Sequence, residues 1–337
     1  MSYRLSLVVI ILLLLSCNNP NTKTAAMKYQ TIGRIERIDP ALDDIISASA
    51  KAEIIAEGFD WSEGPLWIEA EKMLLFSDVP QNIIYKWTEK KGKEVYLTPS
   101  GYTDSVKRLG EMGSNGLLLG PDGNLVLCQH GNRQMAKMDA ALNAPKASFI
   151  SLANNYRGKK LNSPNDAVYN SSGELFFTDP PYGLEKQTQD PKKELPYQGV
   201  YKVKKNGEVI LLTDTLTRPN GIAFLPGEKT LIVANSDPGK PYWYAFDVEN
   251  DSLTNARIFH SAVVSDATLK GLPDGFKVNK NGNVFATGPG GIWIMNNEGK
   301  LLGKIRVPDA TSNCALSADE KTLYVTNDMN VLRIRLR

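Results

Sequence analysis

Six polar residues recur at comparable places along the 337-residue chain: Glu63 in EGPLW, Asn115 in SNGLLL, Asn165 in PNDAVY, Asn220 in PNGIAF, Asp274 in PDGFKV and Asn313 in SNCALS. Each offers an oxygen, and none offers sulfur or imidazole. Gathered in one place, amide and carboxylate oxygens suit a hard cation such as Ca²⁺, Mg²⁺ or Mn²⁺, and suit Zn²⁺ or Cu²⁺ poorly. The competing reading is backbone chemistry, because Asn-Gly and Asp-Gly are common turn formers and a repeated chain would reuse them. Glu63 fits that reading badly, since Glu-Gly-Pro has no comparable turn preference. Two carboxylates facing one space would also repel without a cation.

The elements that carry these residues are short strands. After each anchor comes an apolar run, a turn such as Pro121-Asp122-Gly123 or Ser172-Gly173, and a second strand ending in a polar or small residue. Those second positions are Asp78, Gln129, Asp179, Asn235, Thr287 and Asn327, of which Asp78 and Asp179 read as hydrogen bonders between strands rather than as catalysts. A third apolar strand follows, as in IIYKW, GVYKV and GIWIM. The anchors are separated by 52, 50, 55, 54 and 39 residues. A repeat of this length with several strands and no helical period predicts an all-β, six-bladed β-propeller. In that fold one equivalent residue per blade converges on the axis, which turns six distant positions into one site.

The last repeat is cut short by the C-terminus, so one strand is missing. AEIIAEGF at residues 52–59 can supply it, closing the ring and hiding its edges. Residues 29–50 are expected against the outside of the ring. EKQTQDPKKE, residues 185–194, mixes both charge signs without an apolar period and reads as a loop over one face.

Residues 1–16 lie outside this pattern. Arg4 precedes an apolar run, Leu5 to Leu15, shorter than the ~20 residues that cross a bilayer, so a cleaved signal peptide is expected. LLSC resembles a bacterial lipobox, which makes Cys17 the acylated new N-terminus and residues 17–28 a polar tether. The chain is thereby expected to be exported and held at the bacterial envelope, with a membrane partner only through the lipid on Cys17. Residues 29–337 form the propeller. Cys128 and Cys314 sit in apolar strands and read as buried small hydrophobes without zinc-site spacing. With 39 basic and 37 acidic residues and no basic block, nucleic acid is not an expected partner. No GxSxG elbow is present, so an acyl-serine route has no footing.

The segments GFDWSEGPLW, CQHGNR, LNSPNDAVYNSSGELFFTDPPYG, RPNGIAF and LPDGF together resemble the gluconolactonase, senescence marker protein and luciferin-regenerating enzyme family, in its microbial gluconolactonase branch. The likeness runs from about Ile35 to the C-terminus. It implies a six-bladed propeller that holds one divalent ion, usually calcium, and hydrolyses sugar lactones. Carried over by motif, the ligands are Glu63, Asn220 and Asp274, with Asp274 also the catalytic carboxylate. Asn165 stands beside the ion and touches substrate. Asn115 and His130 are placed on the substrate side, His130 at the pocket mouth or in a structural hydrogen bond to a neighbouring blade. Where animal members carry Arg two residues before the Asn165 position, this chain has Ser163, so their substrate contacts do not transfer. The other readings are an arylesterase or phosphotriesterase in the same pocket, and a non-enzymatic binding propeller. A monomer or weak oligomer is expected.

Overall fold

The computed structural model describes residues 29–337. The signal peptide, the acylated Cys17 and the tether expected at residues 1–28 lie outside the described residues. From Ser62 onward the chain lays down six antiparallel sheets of four strands, the last completed from the N-terminal side. Their first strands are Ser62–Ile68, Ser114–Leu119, Ala167–Tyr169, Pro219–Phe224, Phe276–Val278 and Asn313–Leu316. Each touches the first strands of both neighbouring sheets, and the sixth touches the first, so these strands form the inner wall of a closed ring. The six-bladed propeller read from the repeat is the fold.

Ala52–Glu57 pairs antiparallel with Asn330–Arg335 and becomes the fourth strand of the sixth blade. Two further strands come from the segment before it. Thr31–Ile32 pairs on the outside of Ala52–Glu57, and Arg34–Arg37 pairs with Leu301–Arg306, the outer strand of blade five. Between them and the closing strand, Asp39 caps the 3-10 turn Pro40–Asp44 by accepting from the Ala41 N–H at 2.9 Å. Leu42 and Ile46 are buried against blades five and six. The N-terminal segment therefore ties two neighbouring blades together and covers the outer edges of both.

The core is divided into six clusters, one at each blade-to-blade interface. A single strand serves two of them. In Leu175–Asp179, Leu175 and Phe177 pack toward blade two while Phe176 packs toward blade four. Leu231 and Val233 face blade three, and Ile232 and Ala234 face blade five. This period-2 division explains why the middle strands read as continuous apolar runs: both faces are buried. Cys128 and Cys314 are free, buried, and in different clusters.

The second repeated position stitches five of the six blades to the connection that enters them, whereas Thr287 donates to the carbonyls of Gly275 and Ser312. The Asp78 carboxylate accepts from the Asp60 and Trp61 N–H groups, both at 3.2 Å. Asp179 accepts from Asn162 and Ser163 at 2.7 and 2.8 Å. Asn235 accepts from Arg218 at 2.8 Å, and Asn327 donates to the carbonyls of Asp309 and Ala310, both at 2.9 Å. The groups that bond an entering connection fix where its inner strand starts, and so where the anchor is presented.

The glycine that follows an anchor serves close approach rather than a turn. The register of the inner strand shifts at Glu63/Leu66, Ser114/Leu117 and Pro219/Ile222, so Glu63, Asn115 and Asn220 sit in bulges, which re-aim side chains. A Cβ on Gly64 would lie 2.0 Å from the Asn115 carbonyl oxygen, and Gly64 has a φ of +51°. Gly64→Ala is therefore expected to destabilise the fold by roughly 2–3 kcal/mol through overpacking and strain. Urea unfolding would show it as a lower midpoint; an unchanged midpoint would mean the inner strands do not approach this closely.

Candidate functional site

At one end of the axis the inner strands open into a cavity of about 500 Å³. Glu63, Asn115, Asn165, Asn220 and Asp274 line it, together with Trp61, Tyr182, Glu111, Arg218 and Ser236. Five of the six anchors thus meet at one place. The sixth, Asn313, is buried just behind: its Nδ2 donates to Asp166 Oδ2 at 3.3 Å and its Oδ1 accepts from the Cys314 N–H at 2.8 Å. Lys277 Nζ lies 3.7 Å from Asp166 Oδ2, so the deeper carboxylate has a cationic partner.

The two anchor carboxylates in the cavity have none. Glu63 and Asp274 each accept one backbone bond, from Gly64 at 2.9 Å and Gly275 at 3.0 Å, and neither meets a lysine or arginine among the described residues. Burial, despite the Gly64 N–H and with the nearby Asp166 and Glu111 charges adding to it, pushes Glu63 up to about 8. Asp274 is driven up in the same direction by burial first and then by the Glu63 charge. Two acids that resist ionising, chiefly because both are buried, share one volume.

The amide oxygens are equally exceptional. Oδ1 of Asn115, of Asn165 and of Asn220 is buried with no hydrogen-bond partner. For Asn220 the orientation is fixed from behind: Ser236 Oγ donates to the Pro273 carbonyl, so it can only accept from Asn220 Nδ2, at 3.0 Å. That leaves the oxygen, not the nitrogen, for the cavity. Unpaired buried polar atoms are rare in folded proteins and call for a partner. Among the described residues no group of three or more His, Cys, Asp or Glu side chains is placed to hold a metal ion by itself. The donor set is instead two carboxylates and three amide oxygens, which fits one hard divalent cation.

His130 departs from its expected place. It is fully buried, absent from the cavity wall, and Glu111 stands in front of it, with Oε2 at 3.3 Å from His130 Nδ1. It directly follows the second strand of blade two, Leu125–Gln129, and its backbone N–H donates to the Gly113 carbonyl at 3.1 Å. Trp61 and Tyr182 line the cavity. Glu111, Arg218 and Ser236 were not singled out from sequence. Arg218 stands two residues before Asn220 in RPNG, over the Tyr182 ring at 5.6 Å, and Ser236 follows the repeated Asn235. Adjacency to repeated positions was the available signal for both; Glu111 has no counterpart in other repeats.

A closed six-bladed ring with an oxygen-lined axial pocket defines a class of propeller whose small-molecule site is built from the inner strands. Within that class, the family description SMP-30/Gluconolactonase/LRE-like region matches residues 61–328, and the chain belongs to this family. It is 38% identical over 318 residues to a gluconolactonase of Zymomonas mobilis, covering 92% of this chain and 88% of that one. A solved gluconolactonase of Xanthomonas campestris superposes with a TM-score of 0.78 at 29% identity, covering 91% of this chain and 98% of that one. Regucalcin of Agrobacterium tumefaciens, a calcium-binding protein, shares the fold at a TM-score of 0.65 and 18% identity, over 84% of this chain and 93% of its own.

Proposed function

We propose that the protein is a gluconolactonase-like hydrolase that opens sugar lactones with the aid of one divalent cation, Ca²⁺ above Mg²⁺ or Mn²⁺, held by Glu63, Asn220 and Asp274 with Asn165 beside them. The observation that carries this is the convergence of two unpaired buried carboxylates with three orphaned amide oxygens in one cavity. When bound, such a cation supplies Lewis-acid polarisation of the lactone carbonyl, a contribution of several kcal/mol. The chain's own residues do the rest. Asp274, with one oxygen committed to the Gly275 N–H, uses the other to take a proton from the attacking water. Asn115 and Asn165 stand on the substrate side of the same cavity, where their amides meet ring hydroxyls.

The volume suits a monosaccharide lactone, and the wall mixes ring faces, Trp61 and Tyr182, with donors and acceptors that a polyol needs. That polarity favours a sugar lactone over an aryl ester or an organophosphate. The reading of residues 1–17 adds that the enzyme is exported and lipid-anchored through Cys17, with the sequence alone in support. The test is elemental analysis of purified protein joined to a panel of aldonolactones. Turnover is expected with calcium present and a fall of at least ~10²-fold in EDTA, restored by calcium; hydrolysis indifferent to chelator would remove the cation from the mechanism.

A further inference from the structure

The cavity contains a third carboxylate that the cation does not require. Glu111 lies in the connection before Ser114–Leu119, its side chain one-third exposed and lining the cavity. No backbone N–H donates to it among the described residues, and no lysine or arginine nitrogen lies within 4.0 Å. Arg108, three residues earlier, is turned away and donates to the carbonyls of Gly131 and Gly183. What faces Glu111 from behind is His130, fully buried, with neither ring nitrogen in an aligned hydrogen bond and Nδ1 3.3 Å from Glu111 Oε2. At that distance the contact is a close approach that a shared proton would tighten, as acid–base pairs commonly do on loading substrate. An imidazole buried without other partners is destabilising unless something uses it.

We propose that Glu111 is the general acid of lactone opening and that His130 is its positioning residue. This rests on the lactonase reading above. Opening the ring needs two proton movements, and Asp274 accounts for one. The water oxygen bonds to the carbonyl carbon as one water proton passes to Asp274. The ring carbon–oxygen bond then breaks, and the departing oxygen takes the proton held between Glu111 and His130, becoming the product hydroxyl. Transfer of the Asp274 proton back to Glu111 restores the start, so one lactone and one water give one hydroxy acid. The two carboxylates line the same cavity wall, close enough for the Glu111 charge to act on both Glu63 and Asp274.

A general acid matters only when the leaving group is poor, which separates this role from a structural or purely electrostatic one. Glu111→Gln is expected to lower kcat on δ-gluconolactone, which releases an aliphatic alcohol, by ~10²-fold. On dihydrocoumarin and nitrophenyl esters, which release phenols, the same variant should lose less than about threefold, because a stable phenolate needs little protonation. His130→Gln should show the same selectivity at about tenfold, with KM little changed. Calcium affinity of Glu111→Gln, measured by calorimetry, is expected to stay within about twofold of the parent. Equal losses across the leaving groups, no loss on gluconolactone, or a tenfold fall in calcium affinity would overturn the assignment, the last by making Glu111 a ligand. A parent protein that opens no lactone would instead sink the reading beneath it.

Discussion

Asp274→Ala is expected to abolish lactone opening, with kcat falling ~10²- to 10⁴-fold or more, while the propeller stays folded. The residue combines two tasks in one side chain: it carries one of the two negative charges that hold the cation and the oxygen that receives a water proton. Its structural contribution is small by comparison. One hydrogen bond, from the Gly275 N–H at 3.0 Å, is lost, worth about 1 kcal/mol. Against that, removing a buried acid whose ionisation is opposed by Glu63 relieves repulsion. Melting temperature in chelator should therefore stay within a few degrees of the parent, and circular dichroism should be unchanged. Asp274→Asn separates charge from shape, because it keeps an oxygen in place without the second negative charge; both variants should bind calcium at least tenfold more weakly. If Asp274→Ala retained a tenth of parental kcat, neither task could belong to this residue.

The second large effect is on stability, and its direction follows from the same carboxylates. Glu63 has its protonated form favoured by burial, up to about 8 from an ordinary value near 4.5, and Asp274 moves the same way. Asp179 is raised to about 7, again by burial, against the pull of its two backbone donors. A group whose folded pKa lies above its unfolded one binds protons more tightly when folded, so its stabilisation is complete below the unfolded value and lost as pH rises through the folded value. The cation-free protein should accordingly lose stability between about pH 4.5 and pH 8. Calcium reverses the part that comes from Glu63 and Asp274, because it displaces their protons, while the Asp179 part remains. Below pH 8 its affinity should increase up to ~10-fold per pH unit for each proton displaced. At a hundredfold excess over Kd the added stability is about 2.7 kcal/mol. Thermal melts at pH 6 and pH 8, with calcium and with EDTA, should show the gap between the two conditions widening with pH. A gap that is the same at both values would mean that the ion does not compete with protons at Glu63 and Asp274.

These effects converge on residues that are far apart in the chain, and the way the ring closes explains how they meet. The repeat was legible because the blades reuse the same parts: an inner strand, in three of them a bulge at its start, in four a glycine where the next blade comes within contact, and a polar or small residue at the end of the second strand. Gly64, Gly116, Gly221 and Gly275 all face the neighbouring anchor residue, whereas the third and sixth copies manage with Asp166 and Cys314. The turn-former explanation of the Asn-Gly pairs gives way here: Asn115-Gly116 and Asn220-Gly221 lie inside strands.

Periodicity and motif by themselves determined the six blades, the closing strand at Ala52–Glu57 and the oxygen-rich anchors, because those features are set by constraints that recur in every repeat. Only the tertiary structure decided what the constraints leave free. Arg34–Arg37 alternates charge and apolar character like many exposed segments, and it became a strand because blade five offered an open edge. His130 lies at the end of a strand as its repeat position demands, yet the connection carrying Glu111 folds across it and takes the place at the cavity wall. Ser236 sets the Asn220 amide through the Pro273 carbonyl of the next blade's entry, a contact between segments with no local relation. Local pattern fixes what every blade must share, whereas the facing of a connection or a side chain into the axis depends on which surfaces ring closure brings together.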